Sequence, residues 1–258
     1  MARFRVHGEL ADLLSAGEHG HLLVRRVDGT STFKHVVESL GVPHTEYGEL
    51  RVNGAPVHDR YQLRDGDVVD VYPAAPVSAA GTEPQFLLDA HLGTLARYLR
   101  LLGFDAAYDN DADDDELMGR AAAEARTLLT RDRGLLRRRT ATNARFVRGT
   151  DPRDQLIDLV RRFGLVSRIR PYTRCTTCNG VLAPVNKADV ARLVRPGTWR
   201  HHDAFTACMA CGKVYWTGAH HARISRLVAA ARGTEPALAG CVLDDRAGWL
   251  GRVAGSPP

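Results

Sequence analysis

The chain has 258 residues, 44% of them hydrophobic and 25% charged, an ordinary globular composition that argues against a disordered chain. Its formal net charge of +5 is compatible with a nucleic-acid partner without singling one out. No stretch reaches the roughly 18 consecutive apolar residues of a membrane span, the start MARFRVHGEL lacks an export segment, and two Cys-x-x-Cys pairs suit a metal in a reducing compartment, so a cytoplasmic protein is expected.

Residues 1–73 read as a self-contained unit. Residues 3–6 and 22–27 are strand-like, and Ser31 or Thr30 can cap a helix reaching Leu40, with Phe33, Val36, Val37 and Leu40 on one face. Asn53-Gly54 is a strong hairpin signal, and Asp65-Gly66-Asp67 introduces an alternating strand over 68–72. This order resembles the β-grasp, ubiquitin-like fold, and the small sulfur carriers in particular. Those carriers act through a free carboxyl-terminal Gly-Gly, whereas here the last strand runs into Pro73-Ala74-Ala75-Pro76 and the chain continues. A docking or folding module, open to a protein partner, is the better reading. Residues 74–84, rich in Pro, Ala, Gly and Ser, form a linker.

The segment 85–164 alternates strand and helix. Phe86-Leu87-Leu88 runs into Asp89, and Leu128-Leu129 lies just before Asp132. Short apolar runs of this kind are buried parallel strands, and open α/β sheets place their chemistry at the carboxyl ends of such strands. A helix with Leu92, Leu95, Ala96, Leu99 and Leu102 inward, and Arg97 and Arg100 on the opposite face, ends at Gly103. Residues 105–108, 127–130 and 144–147 read as further strands. Asp113 or Asp114 caps a helix with Leu117, Met118, Ala121 and Ala122 inward, and Pro152 opens another. Repeated β-α units imply a parallel sheet flanked by helices.

Carboxylates about 4 Å apart repel by roughly 4 kcal/mol at an effective dielectric of about 20, so they persist together only when one is protonated or a cation binds them. Mg²⁺ or Mn²⁺ accepts such hard oxygen ligands and suits metal-assisted phosphodiester cleavage. Asp89, Asp114 and Asp132 are the candidate ligands. Each also has a plainer reading. Asp113, Asp114, Asp115 and Glu116 can cap a helix or complement its dipole, Asp132 can cap a helix over 133–138, and Asp89 is hardest to explain by capping. Arg131, Arg133, Arg137, Arg138 and Arg139 form a basic run that fits either a solvated helix face or phosphate contact.

Residues 165–232 carry the strongest chemical signal. Cys175-Thr-Thr-Cys178-Asn-Gly180 and Cys208-Met-Ala-Cys211-Gly212 form two knuckles, and each glycine is expected at a positive-φ turn that aims N–H groups at sulfur. Four thiolates make a closed, structural Zn²⁺ site, with residues 187–199 looping out between the pairs. Redox chemistry would need a thioredoxin-like strand-to-helix context that is absent. His201, His202, His220 and His221 flank the site. Tyr215 and Trp216 read as ribbon core in preference to base-stacking residues, a helix covers 219–231, and 233–258, with the lone Cys241, reads as a loose tail.

Three segments, DAHLGTLARYLRLLGFD, DADDDELMGRAAAEARTLLTRDRGLL and RCTTCNGVLAPV…CMACGKVYWTGAHHARI, resemble the Mut-seven carboxy-terminal RNase family. Bacterial members of that family often carry an amino-terminal ubiquitin-like domain and end in a zinc ribbon. The resemblance spans residues 2–228, and the three modules together are more specific than any one motif. Its kinship with PIN-type nucleases implies an α/β, PIN-like domain between the β-grasp domain and the ribbon, divalent-metal dependence and RNA as substrate. It assigns Asp89 as the strand-end acid, Asp114 as the acid before the second helix and Asp132 as the Thr-Arg-Asp acid. The chain departs from the motif at His91, where the family is hydrophobic, and at Thr94, commonly basic, which leaves Arg97, Arg131 and Arg133 to contact phosphate. A non-catalytic RNA- or ribosome-associated adaptor is the rival expectation.

Overall fold

The computed structural model describes residues 1–18, 20–75, 83–218 and 221–234. Most of the expected linker, His220 and the tail with Cys241 lie outside the described residues. The chain forms two compact units, Met1–Val77 with Ala112–Val147, and Ser78–Asp111 with Arg148–Pro258.

In the first unit, β1 (Ala2–Val6), β2 (Leu23–Arg25), α1 (Phe33–Ser39), β3 (Tyr47–Val52), β4 (Ala55–Pro56) and β5 (Val68–Pro73) build a sheet ordered β2-β1-β5-β3-β4. β1 and β5 pair in parallel and the other neighbours antiparallel, the β-grasp arrangement. Phe4, Leu10, Phe33, Leu63 and Val69 fill its core. Asn53 and Gly54 take φ of 51° and 82°, as their hairpin turn requires. The cap of α1 is Thr32, one or two residues later than expected, with Oγ1 accepting from the N–H of His35 at 3.3 Å.

In the second unit, β6 (Gln85–Leu88) leads through α2 (Gly93–Leu101) to β7 (Asp105–Tyr108), which pairs with β6 in parallel. Gly103, at φ 94°, closes α2: its N–H donates to Arg100 O at 2.9 Å and that of Phe104 to Leu99 O at 3.0 Å, a paired termination that needs a left-handed residue.

The first unit resumes with α3 (Asp114–Ala123), β8 (Thr127–Thr130), α4 (Arg133–Arg137) and β9 (Ala144–Phe146), β8 and β9 again parallel. Leu117 and Ala121 face inward as expected, but Ala122 is exposed. These elements are joined to the β-grasp module by side chains as well as by the chain. The N–H of Phe146 donates to Oε1 of the buried Glu46 at 2.7 Å, and the Phe146 ring packs against the β-grasp core. Arg137 donates to Glu38 O at 3.1 Å, from beyond the middle of α1.

The second unit continues with α5 (Pro152–Arg162), capped by Asp151, which packs on α2. Phe86 stacks on Phe163 at 6.1 Å and meets Phe104 edge-on at 6.2 Å. Then β10 (Leu182–Val185), α6 (Pro196–His201), β11 (Phe205–Cys208) and β12 (Val214–Trp216) form a three-stranded antiparallel ribbon, and α7 (His221–Arg232) packs back on α5. The excursion expected between the cysteine pairs is therefore not all loop: Pro196 opens the short α6 within it. The chain is thus an α/β protein with parallel strands and flanking helices, a β-grasp module before them and a cysteine ribbon after. No described helix is long and apolar enough to cross a membrane.

Candidate functional site

The two knuckles are built alike. The N–H of Cys175 donates to Gly180 O at 2.7 Å, and that of Cys208 donates to Lys213 O at 2.9 Å. Inside these turns the N–H groups of Cys178 and Cys211 point at Sγ of Cys175 and Cys208, both at 3.5 Å. All four sulfurs lie within 4.8 Å of one another, with Cys178–Cys208 at 3.3 Å and Cys175–Cys211 at 3.7 Å. Tetrahedral arms of about 2.3 Å give edges of about 3.8 Å, so the cage has the size of a four-thiolate metal centre.

One part of the expected knuckle chemistry is different. Gly212 has the anticipated positive φ of 71°, but in the first knuckle that conformation falls on Asn179, at φ 69°. Gly180 serves by its lack of a side chain: a Cβ there would stand 2.7 Å from Cys208 Sγ and 2.9 Å from Ala210 Cβ.

Burial, followed by the neighbouring sulfurs, pushes the Cys178 thiol up to about 12 and raises Cys211 as well. Burial also acts against the Cys175 thiolate, yet the Tyr215 hydroxyl and the N–H groups of Cys178 and Thr177 outweigh it and bring that thiol down to about 6. Crowded thiols of this kind are relieved by a dication, and the all-sulfur donor set fits a soft one such as zinc. Tyr215 Oη lies 2.9 Å from Cys175 Sγ, a role that reading it as simple ribbon core did not anticipate. Trp216 does belong to the core, packed with Val190, Phe205 and Val214.

The first knuckle is also bound to α2 and β7. Arg100, expected on the solvent face of its helix, is 5% exposed. It lies one turn beyond the buried Ala96, on a face that the knuckle covers. Its Nε donates to Ala106 O at 2.7 Å, and its Nη1 to the carbonyls of Thr176 and Thr177 at 3.2 and 2.9 Å. Burial pulls this guanidinium below its ordinary value, opposed by the Cys175 and Cys178 sulfurs. Asn179 Oδ1 accepts from the N–H of Ala106 at 3.1 Å, while its Nδ2 donates to Asp105 at 2.7 Å.

Each candidate acid sits at the start of a helical segment. Asp89 follows β6 directly and precedes a 3-10 turn, Ala90–Leu92, but its carboxylate makes no capping bond. Tyr108, opposite Leu88 in the strand pair, donates to Ala90 O at 2.7 Å, and its ring lies against Gly93, where a Cβ would come within 2.9 Å. In the first unit, Asp113 caps α3, which leaves Asp114 as its first residue. Asp114 Oδ2 lies 2.9 Å from Arg138 Nη2, and the other arm of the same guanidinium reaches Asp115 at 2.5 Å. Asp132 does cap α4, its Oδ1 accepting from Gly134 N at 2.6 Å and Leu135 N at 3.3 Å.

The basic run is not simply a solvated face. Arg133 lies 5.2 Å over the Phe146 ring and donates to Gly41 O at 3.5 Å, Arg137 holds Glu38 O, and Arg138 holds the two aspartates. Arg97 and Arg131 are exposed.

The Mut7-C RNAse domain model matches residues 84–228, and the Mut7-C ubiquitin model matches residues 1–78. Comparison with curated proteins and with solved structures returns no match. With the RNase-domain match covering more than half of the chain, behind the ubiquitin-like module and ending on the four-cysteine ribbon, this chain belongs to the Mut7-C RNase-domain family.

Proposed function

We propose that the chain is a ribonuclease that hydrolyses RNA phosphodiester bonds with Asp89, Asp114 and Asp132 as ligands of a catalytic Mg²⁺ or Mn²⁺. The observation that carries this reading is Asp89: a half-buried carboxylate directly at the end of a buried strand, in a chain of an RNase-domain family. Three carboxylates are hard donors suited to such a cation, which when bound supplies Lewis acidity and a water of lowered pKa. Arg97, Arg131 and Arg133 contact RNA phosphates, and Zn²⁺ fills the four-cysteine centre in a structural role. The β-grasp module meets a protein partner, and the two Cys-x-x-Cys pairs suit a reducing, cytoplasmic compartment.

The test is cleavage of single-stranded and structured RNA with Mn²⁺ by wild type and Asp89→Asn. Loss of one ligand is expected to lower the rate at least about 100-fold, equivalent to about 2.7 kcal/mol of transition-state stabilisation. Equal cleavage by the two proteins would sink the enzyme reading. A second reading, an RNA-binding adaptor, is favoured by the engagement of two of the acids within the fold, Asp132 as a cap and Asp114 with Arg138.

That ion pair gives a finer test. Exposed pairs contribute about 1 kcal/mol or less, so Arg138→Ala is expected to tighten the apparent Mn²⁺ requirement by up to about fivefold if Asp114 is a ligand. A Mn²⁺ requirement unchanged in Asp114→Asn removes Asp114 from the metal site.

A further inference from the structure

We infer that the first cysteine knuckle is the clamp of the strand pair that ends in Asp89, with Arg100 and Asn179 as its positioning residues. Strand β7 lies at the edge of its sheet, and among the described residues its side away from β6 has no strand neighbour. An open strand edge must find hydrogen-bond partners elsewhere. At Ala106 both backbone groups find them in the clamp: the carbonyl accepts from Arg100 Nε at 2.7 Å, and the N–H donates to Asn179 Oδ1 at 3.1 Å. Arg100 in turn is satisfied by the carbonyls of Thr176 and Thr177, the two residues between Cys175 and Cys178.

Those carbonyls face Arg100 only while the knuckle keeps its turn, and a metal shared by Cys175 and Cys178 fixes that turn. Asn179 follows Cys178 directly and holds the left-handed conformation that aims its amide at β7. The chain of contacts therefore runs from sulfur to knuckle carbonyl, to Arg100, to Ala106, and along the β6–β7 register, in which Phe86 pairs with Ala106 three residues before Asp89. Outer partners that orient a metal site typically change its affinity 10- to 100-fold when removed, and the coupling is reciprocal. Zinc in the ribbon thus stiffens the strand pair, and the strand pair tightens zinc. The consequence for cleavage rests on the ribonuclease reading of Asp89; the coupling itself does not.

The test uses the full-length, zinc-loaded protein. Zinc affinity is measured by competition with a chromophoric chelator, and amide exchange is followed over residues 93–108 with and without zinc. Asn179→Gly keeps the left-handed backbone and deletes both side-chain bonds; Arg100→Met removes the guanidinium at similar volume. Each is expected to weaken zinc binding by about 10- to 100-fold. Zinc removal is expected to accelerate exchange at Ala106 in wild type and to do so far less in Asn179→Gly. Unchanged zinc affinity in Asn179→Gly, or exchange over 93–108 indifferent to zinc, overturns the inference. If Arg100→Met does not fold, Asn179→Gly alone decides. Mn²⁺-dependent cleavage by the same preparations keeps the two ideas apart. Equal cleavage by wild type and Asp89→Asn removes the nuclease reading and leaves the clamp standing, whereas unchanged zinc affinity does the reverse.

Discussion

Gly103→Ala is expected to destabilise the second unit by about 2 to 6 kcal/mol, combining roughly 1 to 3 for a side chain at a strained φ with roughly 1 to 3 for overpacking. Two features of the position make the change severe. Its φ of 94° lies where L side chains are strained, and an added Cβ would fall 2.0 Å from Arg170 O and 2.7 Å from Thr173 Oγ1. Arg170 cannot easily retreat, because its N–H donates to Leu102 O at 2.8 Å and the N–H of Tyr172 to Leu101 O at 3.2 Å. The segment entering the first knuckle is thus seated on the end of α2 through backbone groups. At roughly 2 to 4 °C per kcal/mol for a unit of this size, thermal unfolding should fall by about 10 °C. Gly119→Ala is the control: it lies inside α3 with nothing within 4 Å of an added Cβ and should be neutral or stabilising by about 0.5 to 1 kcal/mol. If both variants melt together with the wild type, the seating of this segment contributes little.

Removal of metal from the four-cysteine centre is expected to have the other large effect. The ribbon core is small, with Val190, Phe205 and Val214 buried, so it depends on the sulfur cage. Structural zinc contributes about 10 to 16 kcal/mol in isolated small domains, far more than so few side chains supply. Cys208→Ser, or chelation of the wild type, should abolish stoichiometric zinc and expose the ribbon to proteolysis. Gly180→Ala should weaken zinc through the added Cβ beside Cys208 Sγ, with all four ligands retained. Affinity should also fall with pH. Cys178 at about 12 and Cys211, raised by burial, are both protonated in the metal-free protein throughout the neutral range, so zinc must displace at least two protons, at a loss of at least about a hundredfold in affinity per pH unit. Cys175 at about 6 adds to the slope only as pH falls below that value. Full zinc content in Cys208→Ser, or affinity independent of pH between 8 and 6, would count against a four-thiolate centre.

What could be read from the chain, and what could not, divides by the range of the interaction. The Asn53-Gly54 turn, the apolar run into Asp89, the Gly103 helix end and the paired cysteines are short-range signals, each resting on residues a few positions apart. Arg100 shows the opposite case. Helical spacing placed it outward with Arg97, but its carbonyl partners lie 76 and 77 residues further along the chain, and only the packed knuckle turns that face inward. Tyr215 escaped in the same way, since its partner Cys175 is 40 residues distant. The arginines after Asp132 carried a charge pattern but no sign that Arg137 would find a carbonyl 99 residues earlier. Gly180 was singled out for the wrong reason: turn glycines are usually read for backbone freedom, and here the neighbouring sulfur demands the empty volume.

The hydrogen bond from Phe146 to Glu46, with Arg137 on Glu38, alters what the stretch between residues 75 and 83 can mean. A ubiquitin-like fold is commonly portable, a bead that leaves when its string is cut. Here a scission of the chain in that stretch would leave the bead in place, gripped by α4 and β9 as a subunit is gripped by its neighbour. The amino-terminal fold and residues 112–147 are then one inheritable piece: exchanging either between relatives means exchanging both.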